Sequence, residues 1–354
     1  MWRSTRVCRT RLDVALSAAA AVLVSGCVSA PAAVSGPEAA LVERSRVSMG
    51  SEVRLSAWTA DERAATQAFE AVFDEFDRLD AAMSVWKAGS DIVRLNEAAG
   101  KHAVPVSDDV RSTLRTAQQV GEWTGGKFDV TFAALAEIWK FDHDQDNKVP
   151  LPADIDRRLR LVDYTALVID DQAGTAFLRH PGMRAHLGGI GKGFAVDRAV
   201  RLLRSRGFGD FMIQSGGDMY VAGRRGDRPW RIGIRDPRGA ATFAALSVTD
   251  AAISTSGDYE RFFLKDGRRY HHILDPDTGQ PVSSTRSVTI VARRSLFADA
   301  LATGVFIAGP QAGMQLIDRL EGIEAVIVTS ANDVLITPGL RGQVELLAQP
   351  TDAP

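Results

Sequence analysis

The chain is almost without cysteine. Only Cys8 and Cys27 occur in its 354 residues, both close to the start. Everything downstream of them therefore lacks the means to form a disulfide or a thiolate metal site. An excess of one charge is also missing: 42 Lys and Arg stand against 44 Asp and Glu, a formal net charge of -2. That balance gives no electrostatic reason to bind nucleic acid or an acidic substrate. The apolar run at residues 14–24, VALSAAAAVLV, is too short to cross a bilayer. No internal repeat is found, and no Pro/Gly/Ser linker follows residue 37, which argues against a string of small domains. What remains is 45% hydrophobic and 24% charged, an ordinary globular composition with ample material for a core.

The N-terminus reads as a processing segment. Arg3, Arg6, Arg9 and Arg11 precede the apolar run, which ends in Val24-Ser25-Gly26-Cys27. Small residues before a cysteine resemble the bacterial lipobox, in which the cysteine is lipidated and becomes the mature N-terminus. The alternative is an ordinary secretory cleavage site with an incidental cysteine. The expected organisation is a lipoprotein signal peptide at 1–27, a flexible tether at 28–43, a single domain at 44–345 and a tail at 346–354. Lipidation at Cys27 implies a protein anchored to a bacterial membrane, facing the periplasm or the cell exterior.

Within the domain, residues 44–58 read as one strand carrying Met49-Gly50. A helix follows over 61–80, with Phe69, Val72, Phe73, Phe76 and Leu79 on one face. Helices are expected at 90–96, 107–124, 152–161, 296–307 and 311–320. Strands are expected at 166–170, 211–214, 287–292, 325–329 and 334–337, and they dominate 219–253. The turn Gly125-Gly126-Lys127-Phe128-Asp129-Val130-Thr131 is expected to open a helix. The acidic stretch 142–146, DHDQD, lacks the glycine and final glutamate of a calcium loop and reads as a solvated loop. Mixed strands and helices point to one large α+β domain.

Three stretches carry chemistry. Ser254-Thr255-Ser256-Gly257 reads as a small polar turn able to wrap N–H groups around anionic oxygen. Two short strands and a hairpin follow, ending at His271, His272 and Asp275 beside the turn Asp275-Pro276-Asp277-Thr278-Gly279. By alternation the two histidines face opposite ways, so only one enters a site. A histidine here suits a general base, and Asp275 is placed to orient or charge-balance it; the alternative is a hairpin with partly exposed histidines. The second stretch, His186-Leu187-Gly188-Gly189-Ile190-Gly191-Lys192-Gly193, sits between a strand and a helix, where bare glycines admit a pyrophosphate and Lys192 adds a cation. It fits neither the P-loop nor the Rossmann spacing, and the glycines equally suit tight helix–strand packing. The third is the helix over 295–304, which puts Asp299 and Thr303 four apart on one face, a pair suited to Mg²⁺ or, alternatively, to capping a loop.

Taken in order, MSVW-KAGSDIVRLN, GGKFDVT, LGGIGKGFAVD, SGGD, STSGDYERFF, YHHILDPDTGQPV and ADALATG resemble the ApbE family, the bacterial FAD:protein FMN transferases, over about residues 45–340. The resemblance implies an α+β fold of the tunnelling-fold type. It implies Mg²⁺-dependent cleavage of FAD, with FMN moved to a threonine of an acceptor protein and AMP released. The family's flavin positions fall on Met49, Trp86, Lys127, Phe128, Asp129, His186, Lys192 and Leu274. Its metal positions fall on Asp299, Thr303 and a carbonyl at Gly189, with Gly191 the competitor, and its catalytic histidine on His272. Many members have aspartate where this chain has His186, some have tyrosine at Trp86, and some have a second acid at Ala302, which bears on metal affinity rather than metal identity. Two other readings use the same residues: an FAD pyrophosphatase with water as the attacking group, and a flavin-binding lipoprotein without chemistry.

Overall fold

The computed structural model describes residues 38–353. The leader, Cys27 and the tether up to residue 37 lie outside the described residues.

Helix Glu62–Met83 forms because its sequence offers a complete apolar face and a good start. Asp61 accepts a hydrogen bond from the Ala64 N–H at 2.8 Å, a cap that stabilises a helix by about 1 kcal/mol. Ala65, Phe69, Val72, Phe73, Phe76 and Leu79 are all buried on the inner side. Helices Gly191–Ser205 and Ser295–Ala308 share this helical layer, the latter buried nearly all round. Apolar residues on every side require a helix to be enclosed, and this one lies between the sheet and its neighbours.

An antiparallel sheet of eight strands forms the middle layer. Its order in space is Ala40–Ser48, Ser51–Thr59, Phe211–Ser215, Asp218–Ala222, Ala251–Gly257, Thr285–Ala292, Glu324–Thr329 and Val334–Ile336. Alternation sorts its side chains between two cores. Ala252, Val288, Ile290, Ala325 and Ile327 face the helices. Ile253, Val291, Val326 and Val328 face a small sheet made of Trp230–Arg235, Thr242–Val248 and Val344–Leu346. Being covered on both faces explains why these strands read as unbroken apolar runs. A third cluster, Leu135, Trp139, Phe141, Ile155, Phe263 and Leu274, underlies the hairpin Phe262–Lys265/Arg268–His271.

The structure differs from the sequence expectations in three places. Residues 44–58 are two strands: Ser48 pairs with Ser51 around Met49 and Gly50, whose φ values are 49° and 74°. Positive φ at both central residues matches the twist of a two-residue hairpin. Ser254–Gly257 is not a turn but the end of strand Ala251–Gly257, in register with Ser287–Ile290. Its hydroxyls all find partners, so small polar residues are tolerated inside a sheet. The GGKFDVT segment opens no α-helix: Asp129 takes the Thr131 N–H at 2.7 Å and the Thr131 hydroxyl at 2.6 Å, local bonds that compete with helix formation. The tail bonds back to the domain: the Leu347 N–H bonds Phe243 O, and Thr351 bonds Asp236 through both its N–H and its hydroxyl.

Candidate active site

The site is built where helix Gly191–Ser205 crosses helix Ser295–Ala308. A Cβ on Gly193 would lie 2.3 Å from Ser295 O and 2.7 Å from Asp299 Cβ, so glycine alone allows this approach. In return the Gly193 N–H donates to Asp299 Oδ2 at 2.9 Å. Helix Ser295–Ala308 has no cap of its own, and Arg294 precedes it, an unfavourable charge for a helix start. Asp197, from the facing helix, supplies the missing anion and accepts from Ser295 N at 2.7 Å. The final aspartate of LGGIGKGFAVD is thus a cap donated by a neighbour.

Of the three expected metal positions, Thr303 lies against the Gly189 main chain, and Asp299 sits one turn earlier on the same helix. Thr303 Oγ1 lies 3.2 Å from Ser256 Oγ and 3.4 Å from where a Gly189 Cβ would stand. Asp299 is 4% exposed. Burial first, then repulsion from Asp218, pushes its carboxyl up to about 7, against the pull of Lys192 and the Gly193 N–H. Lys192 Nζ pairs with Asp218 Oδ2 at 2.9 Å and donates to Gly188 O at 3.3 Å. Burial opposes its charge, but Asp218 and Asp299 outweigh burial, so the amine is held protonated. In the sequence Asp218 stands out only as part of SGGD. It is 2% exposed and also accepts from Ser254 Oγ at 2.5 Å. Met49 at the hairpin tip reaches this turn, since a Gly191 Cβ would lie 3.7 Å from Met49 Cε.

The histidines separate as alternation requires. His271 is in the core, 2.7 Å from Val282 O and edge-on to Phe306. His272 is partly open, and its Nδ1 is buried without a hydrogen-bond partner. Burial, then the positive charge of Arg261, hold its pKa well below the ordinary 6.5, so the ring is neutral at pH 7. His186 is also neutral: burial and then Arg261 lower it to about 4, and its Nδ1 accepts from Gly188 N at 2.8 Å.

Four expected contributors stand differently. Asp275 does not bond the His272 ring. Its carboxylate takes Lys127 Nζ at 2.8 Å and the Asp277 N–H at 3.1 Å, because the turn folds it back on GGK. Phe128 is buried behind the glycine turn, its ring 3.3 Å from a Gly189 Cβ. Asp129 is buried on Thr131 and Tyr164 N–H groups. Leu274 is 4% exposed within the third cluster. Contacts of Phe128 or Asp129 with a ligand would therefore run through the backbone. Lys127 bridges Asp275 and Asp277, each at 2.8 Å. Trp86 is 64% exposed, with His143 edge-on to its ring at 4.9 Å.

Among the described residues no group of three His, Cys, Asp or Glu side chains is poised to hold a metal. No helix among them is long and apolar enough to cross a membrane.

The ApbE family profile matches residues 49–327. An FAD:protein FMN transferase of Klebsiella pneumoniae (strain 342) is 32% identical over 296 residues, covering 83% of this chain and 90% of that protein. Among solved structures, the ApbE protein of Thermotoga maritima superposes with a TM-score of 0.80 at 30% identity, covering 86% of this chain and 99% of the other. The flavin transferase ApbE of Vibrio cholerae gives 0.77 at 26% identity, with the same coverage.

Proposed function

The chain belongs to the ApbE family, and from that premise we propose how it works: it is an FAD:protein FMN transferase that uses Mg²⁺ and a threonine of its acceptor. The supporting observation is the convergence of Gly189, Lys192, Asp299 and Thr303 at one helix crossing, with the His272 ring neutral and unpartnered at Nδ1.

The donors fit a hard cation. A carboxylate, a hydroxyl and main-chain oxygen are the ligand types Mg²⁺ takes, and a buried carboxylate pushed up to about 7 is one whose charge lacks compensation. Asp299 and Thr303, with the main chain at Gly189, would hold Mg²⁺, which when bound would draw charge from diphosphate oxygens as a Lewis acid. Lys192 keeps a fixed positive charge beside the glycine turn, where the departing AMP gains negative charge. His272 takes the proton from the threonine hydroxyl. The threonine oxygen bonds the FMN phosphorus, the P–O bond to the bridging oxygen breaks, and AMP leaves with that oxygen. Trp86 offers an exposed ring face for the flavin. The test is mass spectrometry of a threonine-containing acceptor after incubation with FAD and Mg²⁺. A gain of one FMN per acceptor supports the reading; free FMN released at the same rate without acceptor marks hydrolysis instead.

Metal and proton compete for Asp299. Below about pH 7 the apparent Mg²⁺ affinity is expected to fall up to about tenfold per pH unit. The metal-free fold is favoured while Asp299 is protonated, and loses that contribution as pH rises from the ordinary 3.8 through about 7. Mg²⁺ returns it, so the metal-induced rise in Tm should be larger at about pH 8 than at about pH 5.5. Equal rises at both would remove Asp299 from the metal.

Cys27 is the proposed lipid anchor and residues 28–37 its tether, holding the enzyme to a bacterial membrane on the periplasmic or exterior side. A Cys27→Ser protein should move from the membrane to the soluble fraction; unchanged fractionation rejects the anchor.

A further inference from the structure

The hairpin that carries His272 also carries Arg261 directly across from it. Phe262 pairs with His271, and the next N–H outward, that of His272, bonds Arg261 O at 3.1 Å. Residues opposite each other on an antiparallel ribbon put their side chains on one face. The guanidinium therefore stands on the same side as the catalytic imidazole. Its effect on both His272 and His186 agrees with that placement.

The three cations of this region are not equally committed. Lys192 is held by Asp218, whose side chain is 4% exposed, and Lys127 by two carboxylates. Taking Lys192 away would strand a buried charge. Among the described residues Arg261 pairs only with Asp142, at 2.6 Å, and the two side chains are 45% and 40% exposed. Exposed pairs of this kind contribute little and exchange readily. Asp142 belongs to a loop whose other contacts are on the same rim: His143 lies on Trp86, and Gln145 Nε2 reaches Phe262 O at 3.4 Å.

We propose that Arg261 binds the diphosphate of FAD and that Asp142 is its place-holder, exchanged for the diphosphate when the substrate enters. The inference rests on the FAD reading above. A guanidinium fork matches two phosphate oxygens as it matches a carboxylate. The aspartate keeps the arginine extended toward the site and neutralised while no substrate is bound. It also sets a threshold: a flavin without a diphosphate has nothing to offer Arg261 in exchange. The pair thus acts as a specificity device that favours FAD over riboflavin.

The test is equilibrium titration of the full-length protein, with Mg²⁺, by FAD and by riboflavin, followed through tryptophan fluorescence. Arg261→Gln should weaken FAD by about tenfold or more and leave riboflavin within about twofold. Arg261→Lys should recover part of that loss, since it restores charge without the fork. Asp142→Asn should tighten FAD by about threefold, and the double variant should show no tightening over Arg261→Gln. Equal weakening of FAD and riboflavin by Arg261→Gln would reduce Arg261 to a hairpin-packing residue and overturn the proposal. Tightening by Asp142→Asn in the Arg261→Gln background would overturn the place-holder. Failure of the transferase reading is seen separately: wild-type protein that shows this binding pattern yet never modifies an acceptor refutes the reaction and not the pair.

Discussion

Replacing His272 with alanine is expected to slow flavin transfer by about 10²–10⁴-fold, the usual contribution of a positioned general base. FAD affinity should change by less than about threefold, because in the proposed role the imidazole acts on the acceptor's proton and not on the flavin. The pH profile gives the sharper check. Burial and Arg261 hold His272 well below the ordinary 6.5, so the free base is present throughout the neutral range. At saturating Mg²⁺ the acid limb of kcat/KM should therefore lie below about pH 6.5, and it should vanish in the alanine protein. At low Mg²⁺ a second limb near 7 should appear in both proteins, since Asp299 is the proposed metal ligand and its carboxyl is pushed up to about 7. A wild-type limb that stays at 7 whatever the Mg²⁺ concentration, or an alanine protein that transfers normally, would take the base role from His272.

Strand alternation made it legible that one ring of the His271-His272 pair is buried, and His271 is that ring; the choice of His272 as the proposed base comes from the family resemblance. Asp275 was misplaced for a related reason. Three residues along the chain is close in sequence, but the Asp275–Gly279 turn reverses direction, and its carboxylate meets Lys127, which is 148 residues away. Helices Glu62–Met83 and Ser295–Ala308 announce themselves by periodicity and by apolar content. The Met49-Gly50 hairpin does not, since a strand pattern runs unbroken through a two-residue turn whose first position is not the usual Asn or Asp. Asp218, Asp197 and Arg261 were hidden because each acts across the fold, on Lys192, on a helix start and beside His272. The one sequence clue was for Asp197: a helix that begins after two arginines and lacks a cap needs an anion from elsewhere.

Gly193→Ala is expected to disable the proposed Mg²⁺ site, whereas Gly191→Ala, two residues earlier in the same motif, is expected to be tolerated. The added methyl at 193 would meet Ser295 O at 2.3 Å, Ser295 C at 2.7 Å and Asp299 Cβ at 2.7 Å. Two of these are backbone atoms, which cannot rotate aside. Helix Ser295–Ala308 cannot retreat either, because Leu296, Ala298, Ala300 and Leu301 are fully or almost fully buried on its other sides. Overpacking of this kind costs about 1–3 kcal/mol. The displacement also lengthens the 2.9 Å bond from Gly193 N to Asp299 Oδ2, which positions the carboxylate. The Mg²⁺ concentration for half-maximal transfer should therefore rise by about tenfold or more, alongside a fall in Tm. A methyl at 191 meets Leu187 Cβ at 3.6 Å and Met49 Cε and Met83 Sδ at 3.7 Å, all ordinary contacts with side chains. Alanine there also suits a helix better than glycine does. Its Mg²⁺ titration should stay within about twofold of wild type. Two alanine variants with the same Mg²⁺ response would mean that the two helices do not need their close crossing to hold Asp299 in place.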